Sequence, residues 1–293
     1  MKPSTFSIVA VDRTAGELGV AVQSKFLAVG AAVPWLEAGV GAVATQAWAN
    51  TSYGPRGLAL LRGGASPSDA VDTLVGGDDG RSRRQIGIVD ARGQSATYTG
   101  PECTEWAGGV CGDGFAAQGN ILAGAGVVEG MVTGLLQTQG TLAERLLAAL
   151  RAAQRAGGDK RGQQSAALVI VKPGGGYGGY NDRYIDLRVD DAAEPIERLA
   201  HLLDLHMLYF APPKPEDIIT IDDQVGSELV DFLIQLGALA KGHSKFDSDA
   251  RVAFEHLMGV ENLEERIRTD GAVDRQTLAY FREKLGGGIR RAK

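Results

Sequence analysis

The stretch TFSIVAVD (5–12), followed by GELGVAVQS (16–24), decides how this chain is read. Both segments are apolar and β-branched. The RTAG between and overlapping them (13–16) is a turn sequence, so the chain is expected to open on an antiparallel hairpin. The hairpin begins with hydroxyls, Ser4, Thr5 and Ser7. Thr5 and Ser7 alternate with Phe6 and Ile8 and so share one face of a strand. That face is either the polar side of an ordinary strand or the place where a hydroxyl does chemistry.

Outward from the hairpin, strands are expected at 28–33 and 39–46, and a further hairpin at RQIGIVDARGQSATYTG (84–100) turns on Ala91-Arg92-Gly93. One glycine-bounded strand is expected in GGVCGDGFAAQGN (108–120), then strands in SAALVIVKP (165–173) and YIDLRVD (184–190). Helices are expected in PRGLALLRGG (55–64) and in SPSDAVDTLVGG (66–77), where Ser66 caps and Pro67 takes the first helical position. Thr141 and Glu144 form a capping-box pair ahead of a leucine stripe, and EPIERLAHLLDLHMLYF (194–210) is amphipathic. Hairpins with helices in separate blocks exclude a doubly wound parallel fold. The expected class is α+β, a four-layer αββα sandwich followed by a small all-α domain.

Glycine marks the division. Thirty-three of the 41 glycines precede Pro212, and the last 81 residues hold eight. Three prolines in APPKPED (211–217) cannot continue a helix, so the expected parts are a domain over 1–211, a linker over 212–217 and a helical domain over 218–293. Charged residues make up 23% with a net charge of −6, which points away from nucleic acid. No apolar run has the length of a signal peptide or a membrane span, so a cytoplasmic protein without a membrane partner is expected. Cys103 and Cys111 are too few for a disulfide scaffold or a zinc set, and no cofactor is expected.

The segments FSIVAVD, GELGVAVQSK, AGVGAVATQA, GPRGL, GDGFAAQGN, RGQQSAAL and NDRYIDLRVDD resemble the DUF1028 family from Thr5 to about Phe210. The resemblance implies the fold of the N-terminal-nucleophile hydrolases, and through that fold an amide hydrolase. Such chemistry uses a Ser, Thr or Cys whose own free α-amine is the base, so the nucleophile must begin the mature chain. Lys2 is not small, which works against removal of Met1. A cut after Ser4 would free Thr5, the position near which family members begin, and a cut further in would free Ser7. An uncut Ser7 needs another base, and no histidine precedes His201. His201 and His206, at i and i+5 of one helix, are poorly spaced to share a metal.

Gln118 and Asn120 offer amide donors suited to an oxyanion, although both also suit a turn. Thr45, Gln46, Arg56, Gln164 and Ser165, at strand ends or in adjoining loops, are candidate substrate-binding residues. Arg56 has the fork that grips a carboxylate, and a nearby acid would occupy it equally well. The expected ligand is a small amide or peptide. The glycine-rich loop 174–179 lacks the Gly-Lys-Ser/Thr of a phosphate loop, and Tyr177 within it and Tyr180 beside it could stack on a ligand or partner. Asp182, Asp190 and Asp191 are explained by local pairing more cheaply than by a cation.

In the C-terminal part, Asp270, Gly271, Asp274, Thr277 and Phe281, with LIQLGALAKG and FDSDARVAF, resemble a peptidoglycan-binding-like three-helix module. It implies a fragment-binding or dimer-contact role, and in the cytoplasm the polymer is met only as precursors or recycled fragments. Met207, Tyr209 and Phe210 supply apolar contacts for an expected homo-oligomer. The alternative to the hydrolase is a non-catalytic ligand-binding or assembly protein that uses the same cleft.

Overall fold

The structure is a computed structural model that describes residues 5–286. Ser4 and the tail from Gly287 lie outside the described residues. Compact contacts divide the chain into residues 1–203 and 204–293, the division falling inside one helix.

The first unit begins with the expected hairpin, β1 (Thr5–Asp12) and β2 (Glu17–Ser24). Next come β3 (Pro34–Glu37), β4 (Gly41–Ala47), α1 (Tyr53–Arg62), α2 (Pro67–Gly76), β5 (Arg84–Asp90) and β6 (Ser95–Thr99). It continues through β7 (Gly108–Gly112), β8 (Phe115–Asn120), α3 (Gly126–Gln137), α4 (Leu142–Arg155), β9 (Ser165–Val171) and β10 (Arg183–Val189) to α5 (Pro195–Phe210), which crosses the division. One sheet has the order β10-β9-β2-β1-β8-β7 and the other β3-β4-β5-β6. All the pairings in both sheets are antiparallel. Strand β1 is central, with Thr5 opposite Ser24 on one side and Asn120 on the other.

β1 is buried along most of its length, because its two faces serve two cores. Val9 packs with Val20, Val22, Ala44, Val89 and Ala116, residues of both sheets, so the odd-numbered face of β1 looks into the space between the sheets. On the even-numbered face, α3 and α4 cover the six-stranded sheet, and α1 and α2 cover the other through Val43, Leu58, Leu74 and Ile86. The Thr5/Ser7 side is therefore no exposed polar strand face. It lies within the layers.

Local signals explain the helices. Ser66 accepts from the Asp69 amide ahead of α2, and Thr141 and Glu144 close a capping box ahead of α4. Three sequence expectations change. Residues 28–33 form no strand: Ala28 has φ 52° and leads into a 3-10 turn, Val29–Ala31, whose Val29 and Val33 are apolar because they enter the inter-sheet core. The stretch 108–120 is a hairpin, split at Asp113-Gly114 with Gly114 at φ 81°. Helix α3 was not expected, since Gly126, Gly130 and Gly134 lower helix propensity. Two of them, Gly130 and Gly134, have a packing reason: a Cβ on Gly134 would lie 2.7 Å from the Ala148 carbonyl of α4, so the two helices approach closely only without it.

The second unit holds β11 (Ile218–Thr220), α6 (Asp223–Gln235), α7 (Ser248–Val260), β12 (Ala272–Asp274) and α8 (Arg275–Gly286). It is not all-α as expected, because β11 and β12 pair as a short antiparallel ribbon. Leu229, Leu233, Phe254, Leu257, Leu278 and Phe281 fill its core. The buried Arg266 donates to the carbonyls of Leu208 and Met207 at the end of α5 and to Asp274 Oδ1 at 2.6 Å. Asp274 also caps α8 through the amides of Gln276 and Thr277. Among the described residues no helix is long and apolar enough to cross a membrane.

Candidate functional site

Period two carries Thr5 and Ser7 onto the inter-sheet face at one end of the layers, and the opposing strands bring amides to meet them. Ser7 Oγ donates to Gln46 Oε1 of β4 at 2.6 Å and accepts from Gln118 Nε2 of β8 at 2.7 Å. Gln118 Nε2 also donates to the Ser7 carbonyl at 3.3 Å. Gln46 Nε2 donates to Gln85 Oε1 at 2.8 Å, and to the carbonyls of Thr5 and Gln118 at 3.3 Å each. Asn120 Nδ2 donates to the same Gln85 Oε1 at 2.9 Å. Thr5 Oγ1 stands 3.1 Å from Ser24 Oγ.

Every side chain in this cluster is buried, from 0% to 2% exposed. An unpaired amide there would cost about 1–3 kcal/mol, which is why the network is dense. Close approach of the sheets depends on Gly87, where a Cβ would lie 2.0 Å from Gln118 Oε1. The chain leaves the cluster under backbone strain: Ala47, next to Gln46, has φ 65°, and Ile121, next to Asn120, has φ 54°. For a β-branched residue that region is an outlier, and such strain costs about 1–3 kcal/mol.

The structure thus brings together Thr5, Ser7, Gln46, Gln118 and Asn120, and adds Gln85, which sequence reasoning missed. Its one signal was a glutamine inside the apolar run of β5. Thr45 is buried next to Gln46 and donates to the Asn50 carbonyl at 3.2 Å. Ser165 is buried opposite Ser24, where it donates to the Phe26 carbonyl and accepts from the Val29 amide at 3.1 Å. Gln164 donates to Asp191 Oδ1 at 3.0 Å at the end of that edge. Arg56 is not part of the cluster. It is exposed on α1, without a side-chain partner among the described residues.

The loop before Arg56 is pinned by Asp78, which accepts from Asn50, Tyr53 and Arg84. The Arg84 hydrogen bond, joined by those of Asn50 and Tyr53, holds the Asp78 carboxyl well below the usual carboxylate range. Burial, with the Asp78 bond, pushes the Tyr53 phenol up. Asp182 accepts from the Gly174 amide at 2.9 Å, and among the described residues no group of three His, Cys, Asp or Glu side chains could hold a metal. An open groove of about 460 Å³, lined by Leu36, Glu37, Ala38, Val171, Asn181, Asp182 and Arg183, lies at the other end of the sheets, since Val171 pairs with Leu18. None of the expected site residues lines it.

Among the described residues, the side chains of Ser7, Gln46, Gln85 and Gln118 bond to hydroxyls, amides and backbone carbonyls, and to no titratable group. Fold and cluster together define an α+β protein with two antiparallel sheets and a sealed polar site at the head of its first strand. The chain belongs to the DUF1028 family, described as "Family of unknown function", whose model matches residues 5–199. Residues 209–281 match a second family, described as "Putative peptidoglycan binding domain". A DUF1028 protein from Silicibacter pomeroyi, known from a crystal structure, is similar at 33% identity with a TM-score of 0.65, over 71% of this chain and 88% of that one. No curated protein matches the chain.

Proposed function

We propose that the first unit has the αββα sandwich of the N-terminal-nucleophile hydrolases and that, once cut before Thr5, it hydrolyses a small amide or peptide bond. The observation that carries this reading is the position of Thr5: first in the central strand, hydroxyl on the inter-sheet face, beside a buried cluster of hydroxyls and amides. A free Thr5 α-amine supplies a base. It takes the proton from Oγ1 as that oxygen bonds to the substrate carbonyl carbon. Collapse of the adduct breaks the C–N bond, the ammonium returns its proton to the leaving amine, and water then hydrolyses the Thr5 ester.

Asn120, paired with Thr5 in the neighbouring strand, is the amide that stabilises the oxyanion. Gln118 spends both its amide hydrogens on Ser7, so its role and that of Ser7 is to hold β1 against the opposite sheet. Phe26 and Leu27 follow Ser24, Trp48 follows Ala47, and all three are more than 40% exposed. Their exposed apolar surface, close in sequence to the site strands, would suit substrates with an apolar flank.

The second unit binds peptidoglycan fragments of the kind a cytoplasmic protein would meet. Its cavity of about 20 Å³ has room for one water, so a saccharide would lie on its surface.

Intact mass of freshly purified protein tests the hydrolase reading. Loss of the residues before Thr5 from the 30.7 kDa chain, with amide turnover abolished in Thr5→Ala, is the expected result. A full-length chain that turns over the same amides would overturn it. One observation favours a second reading, a ligand-binding protein without catalysis: the Thr5 nitrogen is tied up in a peptide bond with Ser4 in the chain as encoded. Full-length protein that hydrolyses nothing, yet melts higher with a small amide or peptide bound, would support that alternative.

A further inference from the structure

Asp159 is a buried carboxylate that the mechanism above leaves unused: its side chain is 0% exposed and it follows α4. Its place is fixed by the two strands that flank β1. On one side, Ser24 pairs with Thr5, and the Ser24 carbonyl accepts from the Gln164 amide at 3.1 Å, away from β1. In a trans peptide the carbonyl and the following N–H point in opposite directions, so the Lys25 N–H points toward β1. Its acceptor is Asp159 Oδ2, at 3.0 Å. On the other side, Asn120 also pairs with Thr5, and two residues on, Leu122 forms an isolated bridge with Asp159.

In antiparallel register the Ser24–Lys25 peptide is level with the Thr5 nitrogen. The carboxylate that accepts from the Lys25 N–H therefore stands on the β1 side of that peptide, level with the Thr5 nitrogen. We infer that Asp159 is a positioning residue for the Thr5 α-amine: it accepts one amine N–H and so turns the nitrogen lone pair toward Oγ1.

The carboxylate is set before the amine exists. Oδ1 accepts from the Arg161 backbone amide at 2.8 Å, and Arg161 Nη2 lies 3.1 Å from Oδ2. Arg161 thereby sets a positive charge against the buried carboxylate and fixes its orientation. The other cations nearby are turned elsewhere or solvated: Lys25 Nζ donates to the Gln163 carbonyl at 3.1 Å, and Lys160 is exposed.

This inference rests on the hydrolase reading, and its test does not depend on turnover. A chain beginning at Thr5 keeps every described element, because β1 starts there. The pH dependence of acetylation of its terminal amine by acetic anhydride, followed by mass spectrometry, gives the amine pKa directly. An ordinary α-amine titrates at about 7.7–8.0, and a carboxylate that accepts its N–H raises that value. Asp159→Asn keeps the acceptor for Lys25 and removes the charge, so the amine pKa should fall by about one unit relative to the parent chain. The rising limb of the amide-hydrolysis pH profile should move down with it.

Arg161→Gln removes the competing cation and should move the amine pKa up, which serves if Asp159→Asn fails to fold. An amine pKa unchanged in a folded variant overturns the inference and leaves Asp159 holding only its loop. A shifted amine on a chain with no turnover upholds the placement of Asp159 and sinks the hydrolase reading, whereas turnover with an unshifted amine does the reverse.

Discussion

Replacing Gln46 by Glu changes one atom of the buried cluster and converts its energetics into a pH dependence. Gln46 is 1% exposed, and its Nε2 faces three acceptors, Gln85 Oε1 and the carbonyls of Thr5 and Gln118. An ionised Glu would set an oxygen against all three, with no charged group among its partners. The protonated acid can still donate to Gln85, so folding favours the neutral form and raises the folded pKa above the unfolded value of about 4.3. A raised folded pKa means that the variant is at its best below that value. It then loses stability as the pH rises toward the folded pKa, by about 1.4 kcal/mol per unit. Between pH 4.5 and 7 the variant should lose about 3 kcal/mol relative to the parent, provided that its folded pKa lies at 7 or above. With a urea slope of about 2 kcal/mol/M the midpoint should drop by about 1.5 M. Trp35, Trp48 and Trp106 all lie in the first unit, so tryptophan fluorescence reports this unit alone. Equal midpoint differences between variant and parent at the two pH values would refute the reasoning, since the amide would then have to be hydrated or near a cation.

Two further outcomes follow from other buried charges. Arg266→Met removes one partner of a buried ion pair with Asp274 and should cost about 3–5 kcal/mol in the second unit, read as lost amide-exchange protection in α6 to α8 with unchanged tryptophan-monitored unfolding of the first unit. Asp78 has a depressed folded pKa, so its contribution is present above about pH 3.9 and is lost as the pH falls through the folded value. Asp78→Asn should therefore flatten the acid side of the first unit's stability curve, as measured by urea midpoints between pH 2 and 5.

What could be seen from the residues divides along a physical line. β1, β2, α2 and α4 are specified locally, by alternation, a short turn and caps, and they are found where those signals stand. α3 is specified against local preference: Gly130 and Gly134 make sense only against the backbone of α4, which no window of sequence contains. Residues 28–33 have a strand's composition for a different reason, burial of a turn between sheets. The pairing of β11 with β12 joins segments fifty residues apart and three residues long, too short for periodicity to register. At the site, Ser7, Gln46 and Gln118 are visible as polar residues in apolar strands. That they bond to one another depends on how two sheets face, and Gln85 enters only through that packing.

The composition of the cluster narrows the chemistry it can support. Hydroxyls and primary amides seal one another at 2.6–2.9 Å, which fixes β1 in place, and among the described residues Ser7 bonds to no titratable side chain. Proton transfer at neutral pH needs a group that titrates near 7, and an α-amine does so at about 7.7–8.0 without further tuning. A cut before Thr5 would therefore create nucleophile and base together at the one point of β1 that Asp159 brackets from both neighbouring strands. Without the cut, the same residues make a rigid polar plug. Chemistry and architecture are thus separated by a single peptide bond, the one between Ser4 and Thr5.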